Sequence, residues 1–179
     1  MVLTDDPVLA GRLRSYRNLG FGQTRRFLHD EVGRNLRLTN LQAALGVAQL
    51  QRIDAAVAHK RWMAEQYGER LRDVTALQLP TERTWARSVY WMYGVVLNEE
   101  SRMDAEELAV QLRERGVETR PFFLGMHEQP ALHRRGLFEG ESYPVAERIA
   151  RRGLYLPSGM TLMQGQIDRV GDALEEVLG

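Results

Sequence analysis

The sequence contains no cysteine and only one lysine, Lys60, among its 24 basic residues. The absence of cysteine excludes disulfides, thiolate nucleophiles and thiolate metal ligands, and it agrees with a reducing compartment. Any reaction that needs an amine side chain therefore has one candidate in these 179 residues. Lys60 lies mid-helix between His59 and Arg61, and sequence neighbours on a helix do not face each other. We expect a solvated surface lysine.

Charge imbalance and long apolar runs are also missing. Twenty-four acidic residues balance 24 basic ones, so the net charge gives no reason to expect a nucleic-acid or anionic-membrane partner. No apolar run approaches the ~20 residues of a membrane span, and the first residues lack the basic and apolar regions of a signal peptide. With 44% hydrophobic residues, the composition is that of a globular protein, which we expect in the cytoplasm.

The first 40 residues predict one helix followed by a polar loop. A β-like run at residues 2–4 precedes Asp6 and Pro7, which are typical of a helix cap and first turn. Residues 20–35 are polar and punctuated by glycine, and loops of this length are often functional.

Residues 39–74 predict one long helix. Its first third is apolar on nearly every side, and its last third carries a one-sided stripe three and four residues apart, at Ala64, Tyr67, Leu71 and Val74. We expect burial all round at the start of this helix and on one side at its end.

The rest of the chain alternates between strand and helix patterns. Residues 75–87 read as a loop, and strands are predicted at 88–98, 117–123 and 154–158. Helices are predicted at 104–115, capped by Asp104, at 142–153 with Pro144 in the first turn, and at 162–179. This order predicts an α/β or α+β unit of about one hundred residues.

Motifs of several enzyme classes are incomplete. GFGQTR at residues 20–25 lacks the third glycine and the preceding strand of a dinucleotide fingerprint. His127 and His133 are six residues apart with Pro130 between them, whereas two zinc ligands on one helix face need a spacing of four. No G-x-S-x-G surrounds a serine, so the hydrolase nucleophile elbow is missing. We expect no metal site.

The stretch GRNLRLTNLQ, residues 33–42, places Arg34, Asn35 and Arg37 at the entry to the long helix. Free backbone N–H groups and the helix dipole favour an anion at such a position. The alternative is that Thr39 or Asn40 caps the helix and the arginines are solvated.

Five stretches resemble the pyridoxal-phosphate-dependent sugar-nucleotide aminotransferases, and among them the perosamine synthetase type. They are GRNLRLTNLQAALGVAQLQRID, SVYWMYGVVL, GVETRPFFLGMHEQP, YPVAERIARRGLYLPS and QIDRV. They cover essentially the whole chain in the family's order. MVLTDD resembles the segment that follows the family's cofactor lysine, so the chain resembles the C-terminal half of these enzymes.

The resemblance implies a type I aminotransferase fold with two domain portions. Residues 1–75 would be the remnant of the large cofactor-binding domain, including the long interdomain helix. Residues 76–179 would be the small C-terminal α/β domain, a short antiparallel sheet flanked by helices. Because the family's other half would cover the start of the long helix, we expect this chain alone to expose an apolar patch and to self-associate.

The family also implies roles for two groups of residues. These enzymes are homodimers with active sites at the interface, where Asn35 matches the residue that binds the cofactor phosphate and Arg37 a position for the amino donor's carboxylate. Arg120, Phe122 and His127 match the substrate side, with Gly125 where proline is commoner. We expect Arg120 and His127 to project as donors beside an exposed Phe122 ring. The alternative is that Phe122 and Phe123 are core and Arg120 an ion-pair residue.

Transamination needs a Schiff-base lysine and an acid at the pyridine nitrogen. The family's versions of both would precede residue 1, so we expect no catalytic residue in this chain and no activity from it alone. The complete enzyme would use pyridoxal phosphate to move an amino group from glutamate to a 4-keto-6-deoxy sugar nucleotide. The alternative is a non-catalytic domain for dimerisation or nucleotide-sugar binding.

Overall fold

The computed structural model describes residues 2–22, 25 and 27–179, and these form two units. Unit 1 is Met1–Arg52 and unit 2 is Ile53–Gly179. The GFGQTR motif falls partly outside the description, because Gln23 and Thr24 are not among the described residues. Among the described residues, no helix combines the length and apolar character that crossing a bilayer requires.

Unit 1 contains two helices. α1 spans Pro7–Arg17, and its N-cap Asp6 accepts from the N–H groups of Val8 and Leu9, as the cap signal predicted. Residues 2–4 form no strand. α2 spans Asn40–Leu50 and begins with a capping box between Thr39 and Gln42. Thr39 is therefore the capping residue, rather than Asn40.

The single long helix predicted over residues 39–74 is wrong, because a turn at residues 51–52 divides it. α2 ends at Leu50 and α3 spans Ile53–Leu71. At the break the N–H of Arg52 donates to Gln49 O at 3.1 Å, so the hydrogen bond spans three residues instead of the four of an α-helix. The buried face of α3 follows the predicted stripe, and Tyr67 and Leu71 are fully buried.

The burial expected at the start of the long helix is not found in this chain. α2 contains no buried residue, and Leu41 is 81% exposed and Leu45 69%. The described residues of the chain do not cover these side chains. The exposed apolar surface expected for the chain alone is therefore present.

Unit 2 is built on a four-stranded antiparallel sheet with strand order β1-β2-β4-β3. Its strands are β1 Leu77–Gln78, β2 Tyr93–Leu97, β3 Arg120–Pro121 and β4 Gly153–Leu156. β2 pairs with β4 so that Gly94 lies opposite Tyr155 and Val96 opposite Gly153. Because side chains alternate along a strand, these positions face away from Tyr93 and Val95, which are buried in the core.

Helices α3, α4 and α7 cover the core face of the sheet. α4 spans Ala105–Glu114 with Asp104 in a capping box, and α7 spans Gln164–Leu178. α6 spans Pro144–Arg152, directly before β4, and buries Ala150. The hydrophobic core joins α3, α4, α7 and the sheet, with Leu112, Ile167 and Leu174 fully buried. The expected small antiparallel sheet flanked by helices is present.

Three short elements were not predicted. They are β1, a 3-10 helix at Met126–Glu128, and α5 at Pro130–His133. Pro130 does not interrupt a helix here but begins one, because a proline at the first helical position lacks an N–H that would be unpaired anyway. Residues 122–133 therefore contain two short helical elements.

Candidate functional site

Asn35 and Arg37 lie on the exposed segment that leads into α2. Asn35 forms an isolated β-bridge with Asn18, which caps the end of α1. The N–H of Arg34 donates to Tyr16 O at 2.7 Å. These contacts fix the segment beside the end of α1 and leave both predicted site residues at the surface.

Two glycines allow this close approach. Gly20 has a φ of +67°, a left-handed conformation that favours glycine. A Cβ on Gly33 would lie 2.5 Å from the carbonyl carbon of Leu19. Larger residues at either position would push the Asn35 segment away from α1.

The donors of Asn35 and Arg37 suit a phosphate group. Asn35 Oδ1 accepts from Arg37 Nε at 3.1 Å. Within the described part of the chain, the Asn35 amide nitrogen and the terminal Arg37 nitrogens have no hydrogen-bond partner. An amide and a guanidinium with unused donors fit anionic groups such as the phosphate of pyridoxal phosphate and the carboxylate of an amino donor. The N–H of Gln42 at the start of α2 is already used by the capping box. The donors available to an anion are therefore the side chains of Asn35 and Arg37, and not the N-terminus of α2.

Arg120 lies in unit 2 beside a cavity of about 640 Å³. Four segments form the cavity: α3, the chain just before β2, the chain entering β3, and the chain following β4. Its lining includes Lys60, Trp91, Glu118, Tyr155 and Ser158. Arg120 is exposed, and among the residues described its side chain forms neither a hydrogen bond nor an ion pair. Its guanidinium is available to a ligand.

Lys60 is not the solvated lysine that its sequence position predicts. Its ammonium donates to Trp91 O at 3.0 Å and to Ser158 O. Partial burial lowers the pKa of Lys60 below its ordinary value of 10.5. The sequence gives no signal for these contacts, because the two carbonyls lie 31 and 98 residues away along the chain.

The Phe122 ring packs against the sheet, so the expectation of an exposed ring is wrong. It stacks on Tyr155 with 4.3 Å between ring centroids. A Cβ on Gly94 would lie 2.6 Å from Phe122 Cζ, and one on Gly153 would lie 2.5 Å from Phe122 Cδ2. The ring therefore fills the space above two glycines on the outer face of the sheet.

His127 is buried, with 8% of its surface exposed, and does not project as expected. Its Nε2 donates to Glu147 Oε1 at 3.0 Å, and its ring meets Tyr143 edge-on at 4.8 Å. The hydrogen bond from the Tyr143 backbone N–H, and to a smaller extent the one from His127, holds the pKa of Glu147 below its usual range. A Cβ on Gly125 would lie 2.5 Å from His127 Nδ1, so the glycine found where the family more often has proline makes room for the ring.

The structure thus divides the predicted substrate residues. Arg120 shares a cavity with Lys60 and Trp91. Neither of these two residues is predicted from the sequence to be part of the site. Phe122 and His127 do not line that cavity. Among the described residues, no group of three or more His, Asp or Glu side chains could hold a metal ion.

Comparison with known proteins identifies relatives over nearly the whole chain. Residues 1–175 match the DegT/DnrJ/EryC1/StrS aminotransferase family, whose aminotransferases depend on pyridoxal phosphate. The GDP-perosamine synthase of Caulobacter vibrioides is 34% identical over 179 residues, which are 99% of this chain and 47% of that protein. The chain spans about half the length of the curated relatives that it matches.

Solved structures agree with the fold. DesV of S. venezuelae, in complex with a ketimine intermediate, has a TM-score of 0.80 and 30% identity over 98% of this chain and 46% of its own. PseC of Helicobacter pylori, an aminotransferase involved in pseudoaminic acid biosynthesis, has a TM-score of 0.86 at 18% identity, over 98% of this chain and 47% of its own, and supports the fold alone. The resemblance and the expected type I aminotransferase fold are confirmed.

Proposed function

The chain belongs to the DegT/DnrJ/EryC1/StrS aminotransferase family, and we propose that it is the C-terminal part of a sugar-nucleotide 4-aminotransferase of the perosamine synthetase type. The reaction would move an amino group from glutamate to a 4-keto-6-deoxy sugar nucleotide, for polysaccharide biosynthesis in the cytoplasm. The observation that carries this proposal is the alignment of 99% of the chain with 47% of a GDP-perosamine synthase.

In this proposal Asn35 and Arg37 serve the cofactor side of the site. When bound, pyridoxal phosphate supplies the electron sink for amino transfer. The Asn35 amide would donate to the phosphate, and Arg37 would hold the carboxylate of the amino donor. Both side chains are exposed on unit 1, as residues that complete the site of a second subunit in a homodimer would be.

The substrate side is assigned to residues 120–127. Arg120 carries unused donors and suits the anionic part of a sugar nucleotide. Phe122 and His127 are also proposed as substrate-side residues. Because both side chains pack within the chain, we propose that they act indirectly, by holding Arg120 and the neighbouring chain in position. The division into a large-domain portion at 1–75 and a small domain at 76–179 is retained as part of the proposal.

The Schiff-base lysine is proposed to come from outside these residues. Lys60 is the sole lysine, and two backbone carbonyls hold its ammonium. The same observation favours the second candidate function, a non-catalytic domain for dimerisation or nucleotide-sugar binding. The two candidates differ in whether an added lysine-bearing half restores amino transfer.

The first experiment mixes the purified chain with pyridoxal phosphate and follows the absorption of a covalent lysine adduct. We expect none. An adduct that Lys60→Ala abolishes would make Lys60 the Schiff-base residue and overturn the proposal.

The second experiment supplies the N-terminal half of the C. vibrioides GDP-perosamine synthase and measures the two half-reactions separately. Arg120→Met should raise the sugar-nucleotide KM while the glutamate half-reaction stays near normal. Sugar-nucleotide binding without amino transfer, in a complex that light scattering shows to be assembled, would support the non-catalytic candidate. An equal loss in both half-reactions, together with a lower Tm, would show that Arg120 stabilises the fold and does not bind the sugar nucleotide.

A further inference from the structure

The cavity beside Arg120 brings two cations to one place. Lys60 comes from α3 and Arg120 from β3. Glu118 is the single carboxylate among the residues that line this cavity. The walls therefore carry a net positive charge, in a chain whose overall charge is zero, and a concave site with excess positive charge favours an anionic ligand.

Lys60 is held in a fixed position in this wall. An ammonium has three donors, and two of them are used by Trp91 O and Ser158 O. Those carbonyls belong to the chain before β2 and the chain after β4, so one side chain ties together two walls of the cavity. One donor remains for a ligand, on a group whose position is already fixed.

Arg120 supplies the second cation from a paired strand position. It lies opposite Tyr155 on β4, and side chains at directly opposite positions share a face of the sheet. Because its guanidinium has no partner among the described residues, an anion would not have to displace an existing ion pair.

Trp91 gives the same cavity a flat apolar surface. Trp91 is 67% exposed, while its carbonyl accepts a hydrogen bond from Lys60. Exposed indole rings commonly stack on planar ligands such as nucleic-acid bases. A volume of about 640 Å³ is in the range of pockets that hold small-molecule ligands.

We propose that Lys60 and Arg120 bind the diphosphate of the sugar nucleotide in this cavity, with the base stacked on Trp91. This inference rests on the proposed function for the identity of the ligand. It adds two residues, Lys60 and Trp91, to the substrate side, and it gives the chain's sole lysine a binding role in place of a catalytic one.

The test titrates the purified chain with GDP and, separately, with inorganic pyrophosphate by calorimetry. Arg120→Met and Lys60→Met should each weaken GDP binding by at least about tenfold, the usual loss for a hydrogen bond to a charged group. Arg83→Met removes an exposed arginine outside the cavity and should leave binding unchanged. Because Lys60→Met also releases two carbonyls, Arg120→Met decides the result if Lys60→Met lowers Tm.

A second readout uses the fact that Lys60 is the only lysine. Acetylation of this one side chain, followed by mass spectrometry of its peptide, should slow when GDP is present. The Trp91→Ala variant should weaken GDP binding but leave pyrophosphate binding unchanged, since pyrophosphate has no base.

Failure of the site and failure of the proposed function give different results. No GDP binding at millimolar concentration, or binding that Arg120→Met and Lys60→Met leave unchanged, would overturn the site even if the reconstituted enzyme transfers amino groups. Pyrophosphate and GDP binding that both substitutions weaken would support the site, even if reconstitution yields no amino transfer.

Discussion

Replacing Gly94 with alanine should destabilise the chain through one contact, with the ring of Phe122. The new methyl group would lie 2.6 Å from Phe122 Cζ and 2.9 Å from Cε1. Overpacking of this kind costs about 1–3 kcal/mol. At about 2–4 °C per kcal/mol for a chain of this size, a cost of about 2 kcal/mol lowers Tm by roughly 4–8 °C.

Removing the ring should cancel that cost. Phe122→Ala alone should cost about 2 kcal/mol, less than the 3–5 kcal/mol of a fully buried phenylalanine, because this ring is half-buried. In the double variant the methyl group at position 94 meets only Tyr155 Cδ1, at an ordinary van der Waals distance of 3.4 Å. The summed cost of the single variants should therefore exceed that of the double variant by about 1–2 kcal/mol.

Gly153 provides a contrast within the same sheet. A methyl group there would lie 2.5 Å from Phe122 Cδ2 and also 2.5 Å from the backbone oxygen of Ile149. Since a backbone oxygen cannot turn aside, Gly153→Ala should stay destabilising in the Phe122→Ala background. Gly165→Ala is the matched control: its methyl group meets open space in α7 and should stabilise the helix by about 0.5–1 kcal/mol.

Urea and thermal denaturation followed by circular dichroism measure all of these variants. Additive costs for Gly94→Ala and Phe122→Ala, within about 0.5 kcal/mol, would refute the packing of the ring on Gly94. A Gly153→Ala variant as stable as Gly165→Ala would refute the register of β2, β4 and the Phe122 segment.

Three further predictions concern the cofactor side, assembly and acid stability. In a reconstituted enzyme, Asn35→Ala should weaken pyridoxal-phosphate affinity by about 1–3 kcal/mol in a fluorescence titration, and unchanged affinity would leave Asn35 as a turn residue. The chain should self-associate at micromolar concentration in light scattering, and Leu41→Glu with Leu45→Glu should make it monomeric; a monomeric parent chain would contradict this. Hydrogen bonding to Arg70 holds the pKa of Glu175 below its usual 4.5, so its contribution to stability is present above that pH and lost as pH falls below it. Glu175→Gln should reduce the fall in Tm between neutral and acidic pH, and an unchanged fall would exclude this pair as a cause.

Elements with local signals could be predicted from the sequence. Asp6 and Asp104 cap helices because a short carboxylate at the position before a helix accepts from its first N–H groups. The end of α4 also carries a local signal, because Gly116 follows it with a φ of +76°, a conformation that favours glycine. In each case the residues that decide the structure lie within four positions of one another.

Elements that depend on distant contacts could not be predicted. β1 is two residues long, and such a strand exists only because β2 offers it an edge. The break at residues 51–52 has no proline or glycine to mark it. The contacts of Lys60 have no local signal for the same reason, since its two acceptors come from segments that only the folded sheet brings to α3.

The candidate site combines both kinds of information. Family resemblance led to Arg120, Phe122 and His127, but it could not tell which side chains face a ligand. The burial of His127 depends on Gly125, which differs from the commoner family residue, and on Glu147, which lies 20 residues away. The two cavity residues Lys60 and Trp91 have no sequence motif that marks them.

The packing of Phe122 also determines how kinetic data on this segment should be read. Arg120 and Phe122 are two residues apart in an extended chain, so their side chains share one face of the sheet. The N–H of Phe122 donates to Gly153 O at 3.3 Å, which continues the pairing of β3 with β4. Phe122→Ala would therefore change the sugar-nucleotide KM by displacing Arg120, even if the ring never touches substrate. Phe122→Leu separates the two cases, because leucine refills the space above Gly94 and Gly153 without an aromatic face. Recovery of both Tm and KM in Phe122→Leu would make Phe122 a positioning residue, whereas recovery of Tm alone would show that the ring contacts the substrate.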